Sequence, residues 1–177
     1  MNEIAGSASH YRVLIEAPPE KVWAVLTKKG EVLPFFFNNV LHTTTLAPGA
    51  PVRMRSPNGR NTGVVGDVLE FDPPRKYSHT FRFTHLNDPP CVVIYQLKPV
   101  EGGTEFTLTI ENAPPGSKTE KSMNSGAKMI ANTLKHYVET GKPNMVSRMI
   151  GVVNFFMGPF APKACRSENW PLDRKIQ

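Results

Sequence analysis

Four Pro-Pro pairs cut this chain into segments, at Pro18-Pro19, Pro73-Pro74, Pro89-Pro90 and Pro114-Pro115. Proline donates no backbone N–H and cannot sit inside a central strand, so each pair marks the end of an element. Seventeen prolines in 177 residues is nearly twice the ordinary share of ~5%. Between these marks the apolar residues fall into segments of coherent period.

In residues 10–17, Tyr11, Val13 and Ile15 alternate with polar neighbours, the pattern of a first strand. Pro18-Pro19-Glu20 then opens a helix, because proline suits a first turn and an acid suits its positive end. Val22, Trp23, Val25 and Leu26 give that helix its apolar stripe. A second short helix is predicted over Lys29 to Asn38, carrying Leu33, Phe36 and Phe37. From Val40 the period becomes two. Val52 and Met54 alternate with Arg53 and Arg55, and Ser56-Pro57-Asn58-Gly59 turns the chain. Strands follow over Gly63–Phe71, then with Tyr77, His79, Phe81 and Phe83 inward, then with Cys91, Val93, Tyr95 and Leu97 inward. The last has Thr104, Phe106, Leu108 and Ile110 inward. Ser117-Lys-Thr-Glu120 is a capping box, and Met123, Ala127, Ile130, Leu134 and Val138 repeat at helical spacing up to the stop at Gly141 and Pro143.

This length supports one domain, and 40% apolar against 20% charged residues is a globular balance. Two cysteines make neither a disulfide scaffold nor a four-ligand zinc site. The first nine residues lack the basic and apolar parts of a secretory signal, so a cytoplasmic location is expected, with residues 1–9 a flexible N-terminus. The net charge is +6. From Pro143 to Gln177, five cations (Arg148, Lys163, Arg166, Arg174, Lys175) face two acids, which makes +3. No basic run interleaved with aromatics appears, so no nucleic-acid partner is expected. Met145 to Phe160 places Met145, Met149, Val152, Val153 and Phe156 on one helical face and Ser147, Gly151, Asn154 and Gly158 on the other. The expectation is a last helix packed on its own domain or on a sister subunit of a homodimer. The alternative is a membrane-surface or partner-binding helix, but Arg148 is its only cation.

The order of strand, two short helices, six-stranded meander and long helix resembles the helix-grip arrangement of the START-like (SRPBCC) superfamily. Within it, the chain is similar to the family of Hsp-90 ATPase activator homologues, related to that activator's C-terminal domain. The resemblance rests on Ile15-Glu-Ala-Pro-Pro-Glu-Lys-Val-Trp23, Gly63-x-Val-x5-Phe71-Asp-Pro-Pro-Arg75, Gly102-Gly-Thr-Glu-Phe-Thr-Leu108 and Leu134-Lys-His-Tyr-Val-Glu-Thr-Gly141. It implies an α+β fold, a curved antiparallel sheet of about seven strands wrapped around the long helix, spanning residues 10–142. Residues 143–177 form a C-terminal extension, with an apolar helix near 145–158. The family often carries an aromatic after glycine on the long helix, whereas Ala127 follows Gly126 here, which removes bulk facing the sheet. The short polar motif by which co-chaperones of this type engage the chaperone has no copy.

The resemblance implies a cavity between sheet and long helix, lined by the inward faces above: Phe37, Met54, His79, Phe81, Phe83, Tyr95, Phe106, Met123, Ala127 and Ile130. Rings and methionines suit a small hydrophobic or aromatic molecule; equally, the same residues can fill a solid core. His79 sits at an inward position between Tyr77 and Phe81, able to bind a ligand, act as acid or base, or simply pair with Tyr95. His42 is a weaker candidate of the same kind. Asp67 and Glu70, three apart on a strand, are expected on opposite faces. The five histidines are scattered, and no nucleophile elbow, phosphate loop or dinucleotide fingerprint appears. No metal, cofactor or catalytic set is therefore named. Binding of a small apolar molecule is the leading expectation. Alternatives are a co-chaperone-like interaction module and an aromatase/cyclase-type or hydrolase enzyme on the same fold.

Overall fold

The computed structural model describes residues 8–173, so most of the expected flexible segment 1–9, and Arg174 and Lys175, lie outside the described residues. Ser9 already belongs to the first strand. The strands are β1 (Ser9–Ile15), β2 (Val32–Leu33), β3 (Asn39–His42), β4 (Pro51–Arg55), β5 (Thr62–Asp72), β6 (Lys76–Phe83), β7 (Cys91–Val100) and β8 (Gly103–Glu111). They make one antiparallel sheet in the order β1-β8-β7-β6-β5-β4-β3-β2. Each strand after β1 therefore pairs with the next in the chain, and β1 closes on the free edge of β8. The sheet curls into a half-barrel around α2 (Lys118–Thr140), the long helix of a helix-grip α+β fold.

Local chemistry accounts for most of these elements. α1 (Pro19–Leu26) starts on proline with Glu20 in its first turn and buries Val22, Trp23 and Leu26. The Ser117 hydroxyl accepts from the Glu120 N–H at 3.0 Å, and Glu120 accepts in return from the Gly116 N–H at 2.7 Å. Two exposed amides of the α2 start are thereby satisfied. Gly141, at φ 71°, ends the helix in the left-handed region.

The helix predicted over 29–38 is absent. Its place is taken by β2, the eighth strand where about seven were expected, and by a 3-10 turn at Pro34–Phe36. Pro34 keeps Leu33 extended (φ −102°, ψ 103°). Phe37 and Asn38, both left-handed (φ 57° and 58°), stop the turn after three residues. A register shift between Val68 and Glu70 also corrects the reading of β5. The extra residue, Leu69, returns Glu70 to the face that Asp67 occupies, where Lys76 holds it at 2.7 Å.

The outer face of the β4–β6 part of the sheet is covered by residues 158–171. Asn61 bridges Arg166, the Thr62 and Ser167 hydroxyls meet at 2.9 Å, and the Arg82 guanidinium lies 5.2 Å from the Trp170 ring centre. Beneath this strap Arg53 is 1% exposed and donates to the carbonyls of Gly66 and Pro171. Cys165, next to Arg166 in sequence, is buried, with the Thr84 hydroxyl 3.3 Å from its sulfur.

The close crossing of β5 and β6 depends on Gly66, where a Cβ would lie 1.8 Å from the Thr80 carbonyl oxygen. Backbone has to move to admit it. Gly66→Ala is expected to cost about 3 kcal/mol and lower the thermal midpoint by roughly 6–12 °C. Calorimetry of the variant beside the parent checks this; an unchanged midpoint contradicts the stated packing.

Candidate ligand-binding cavity

The C-terminal half of α2 packs tightly. Ala131, Leu134 and Val138 are buried in the same core as Ile15, Leu26 and Phe35, and Lys135 reaches the Leu14 carbonyl at 2.7 Å. The N-terminal half stands away from the sheet and leaves a cavity of about 530 Å³. Small residues make the difference. Gly126 and Ala127 face the sheet, and a Cβ on Gly126 would come within 3.3 Å of the Phe37 ring.

Phe37, Met54, His79, Phe81, Phe83, Tyr95, Met123, Ala127 and Ile130 all line the cavity. Phe106 does not. It is fully buried on β8 opposite Leu97, with its ring stacked on Tyr95 at 6.3 Å, so it lies on the same face in the core beside the floor. Leu108, paired with Tyr95, is the β8 residue that reaches the cavity. Sequence reasoning did not name the wall made by Phe36, Asn39 and Leu41: Phe36 fell in the stripe of the expected helix, and Asn39 and Leu41 lie just past its end in a stretch with no inward face assigned. His42 sits outside the lining, half-buried on β3 opposite Arg53. Burial, then Arg55, holds its imidazole below the usual histidine range.

The floor is a sheet of rings. Tyr77 stacks on Tyr95 at 5.5 Å, His79 lies 5.8 Å from Tyr95, and Phe81 meets Phe83 edge-on at 4.8 Å. His79 Nδ1 is 2.7 Å from the Thr80 carbonyl, which can only accept, so Nδ1 carries the proton and donates. Nε2 is then a bare acceptor, and the Tyr95 hydroxyl donates to it at 3.4 Å. Burial lowers the His79 pKa to about 4 and pushes the Tyr77 and Tyr95 phenols up. All three are neutral at pH 7. The Tyr77 hydroxyl is buried with no hydrogen-bond partner among the described residues.

No Asp, Glu, Lys or Arg lines the cavity. The mouth is marked by its exposed lining residues His85, Ser122 and Ser125. Cys91 is buried on β7 with its thiol pushed up to about 11 by burial, an inert setting. Among the described residues no three His, Cys, Asp or Glu side chains gather as a metal set. No described helix is long and apolar enough to cross a membrane.

Comparison with known proteins places this architecture. Residues 16–139 match the family described as activator of Hsp90 ATPase homolog 1-like protein. The chain belongs to that family, within the START-like superfamily. No curated protein matches the chain. Solved structures with the same fold include the Aha1 dimer from Colwellia psychrerythraea, at 21% identity and a TM-score of 0.62, covering 77% of this chain and 98% of that one. An HSP90 activator from Plasmodium falciparum, PFC0360w, aligns at 18% identity and TM-score 0.59, over 76% and 94% of the two chains. DynU16, a putative protein in the dynemicin biosynthetic locus, aligns at 24% and 0.61, covering 77% of this chain and 48% of its own. At these identities the likeness is one of fold.

The His79 environment gives a pH test. An unfolded imidazole titrates near 6.5 and the folded one near 4. Between those values the unfolded chain holds the extra proton, so folding stability falls as pH drops through the window. The expected loss from pH 7 to about pH 4.5 is roughly 2–3 kcal/mol from this residue. Urea unfolding at both pH values should show that portion of the loss missing in His79→Phe. An equal loss in both proteins contradicts a neutral, buried His79.

Proposed function

We propose that this chain binds a neutral, largely apolar small molecule, with aromatic character, in the cavity between α2 and the sheet, and acts as a binding protein rather than a catalyst. The observation that carries the reading is a cavity of about 530 Å³ walled by aromatic, methionine and aliphatic side chains with no charged residue among them. That volume lies within the range of ~300–1,000 Å³ common to small-molecule sites.

Charge sets the ligand class. A carboxylate, phosphate or ammonium taken into this space would lose its hydration with no opposite charge to meet it, and the neutral His79 offers none. Uncharged polar atoms are welcome: the Tyr95 oxygen, its proton given to His79, can accept from a ligand hydroxyl, and the lone Tyr77 hydroxyl can donate to a ligand carbonyl or hydroxyl. Flat rings match the stacked floor. An HSP90 activator and a putative protein of a biosynthetic locus share this fold, so the fold by itself does not set the role.

A matched pair of probes tests the proposal. The neutral fluorophore N-phenyl-1-naphthylamine is expected to bind with one site per chain. Its anionic sulfonate relative should bind at least ~10-fold more weakly, since its charge finds no partner. Ala127→Trp, which fills the cavity from the α2 side, should abolish neutral-probe binding while far-UV circular dichroism stays unchanged. Equal binding of both probes, or full binding by Ala127→Trp, overturns the reading.

A further inference from the structure

α3 (Met145–Met157) is docked with its polar side inward, the reverse of an ordinary surface helix. Ser147 is the one buried residue of the helix. Its hydroxyl donates to the Pro34 carbonyl at 3.2 Å, and its own carbonyl accepts from the Asn38 side chain at 2.7 Å. Asn154 donates to the Phe37 carbonyl at 3.0 Å. Gly151 lets the helix approach, since a Cβ there would meet the Asn38 amide nitrogen at 3.4 Å. The left-handed corner at Phe37–Asn38 thus finds its hydrogen bonds in the polar face of α3, and the apolar face points to water.

That outer face has a definite pattern. Met145, Met149, Val152 and Phe156 follow one another at intervals of four, three and four, the spacing of a helix seam that meets another helix. Phe155 and Phe160 flank it at 79% and 78% exposure, and Met145 is 86% exposed. Three phenylalanines at the ~150–250 Å² each can bury, together with the exposed Met145, Met149, Val152, Val153 and Met157, bring the face to on the order of 800 Å². That equals one partner's share of a standard interface and exceeds the ~300–600 Å² a monomer commonly leaves bare. Phenylalanine and methionine with a single charge, Arg148, is the composition of an interface core. A helix built for an anionic bilayer carries cations along its polar side; here that side is spent on the chain's own domain.

We infer that this face is covered by the same face of a second copy, two α3 helices crossing about a two-fold axis near Gly151–Val152. An antiparallel crossing separates the two Arg148 side chains and turns each toward the C-terminal end of the other helix, where a cation is favoured. The contact lies beyond residues 16–139 that match the family, so it belongs to this chain's own extension.

Sedimentation velocity on the full chain at micromolar concentration tests it. The parent is expected at twice its 19.7 kDa mass. The double variant Met149→Glu/Val152→Glu, altered only at exposed positions, is expected as a monomer, with dimer affinity reduced at least ~100-fold by two unpaired buried carboxylates per chain. Its circular dichroism and neutral-probe binding should match the parent, which separates this inference from the cavity proposal. A monomeric parent, a dimer that survives the double variant, or a monomer that floats with phosphatidylserine vesicles overturns it.

Discussion

The structure depends on how one long helix is held across a curled sheet. α2 is fixed at both ends, by the Ser117–Glu120 cap and by Gly141, and its C-terminal half is sealed onto β1, α1 and the 3-10 turn through Ala131, Leu134 and Val138. Anchored there, the helix cannot settle onto the sheet along its whole length. Rings too large to interdigitate with Gly126 and Ala127 line the opposing strands, and the gap between them is the cavity. Close packing is the rule in protein interiors, so a void of this size, held open by a rigid helix on a rigid sheet, is part of the design of the fold. The strap over Arg53 braces the same sheet from outside.

The meander was readable in the sequence because proline pairs and two-residue alternation obey local rules. Tyr77, His79 and Phe81 share one face for no reason beyond the pleat. Most candidate site residues followed from that alternation. Phe106 obeys it too, yet packs in the core beside Tyr95 and not into the cavity, and alternation alone cannot tell a cavity wall from the solid core next to it. Phe35-Phe36-Phe37 defeated periodic reasoning: a run of rings fits a helix or a turn equally, and Pro34 decided it through Leu33. The bulge at Leu69 left no mark in the sequence and inverted the parity of Glu70.

The extension taught a different lesson. Its two helical faces were visible, but which one faces home depends on a partner surface far away in sequence. The corner at Phe37–Asn38 presents carbonyls and an amide that need hydrogen bonds, and Ser147 and Asn154 supply them. Unmade hydrogen bonds in a buried contact cost more than an exposed methionine. Arg53 and Cys165 are buried by a strap with no periodicity of its own, so no pattern announced it. Membership of the family accounts for residues 16–139 and the scaffold they build; the cavity's chemistry and the outward face of α3 are properties of this chain's own side chains.

The central claim is that the space beneath α2 holds a neutral small molecule. Native mass spectrometry of protein purified gently from the cells that make it tests this most directly, followed by denaturing extraction of the same sample. The account predicts one adduct of a few hundred daltons per chain, released on denaturation and free of ionisable groups. A chain that arrives bare from such cells and takes up no member of a panel of neutral aromatic compounds would contradict it.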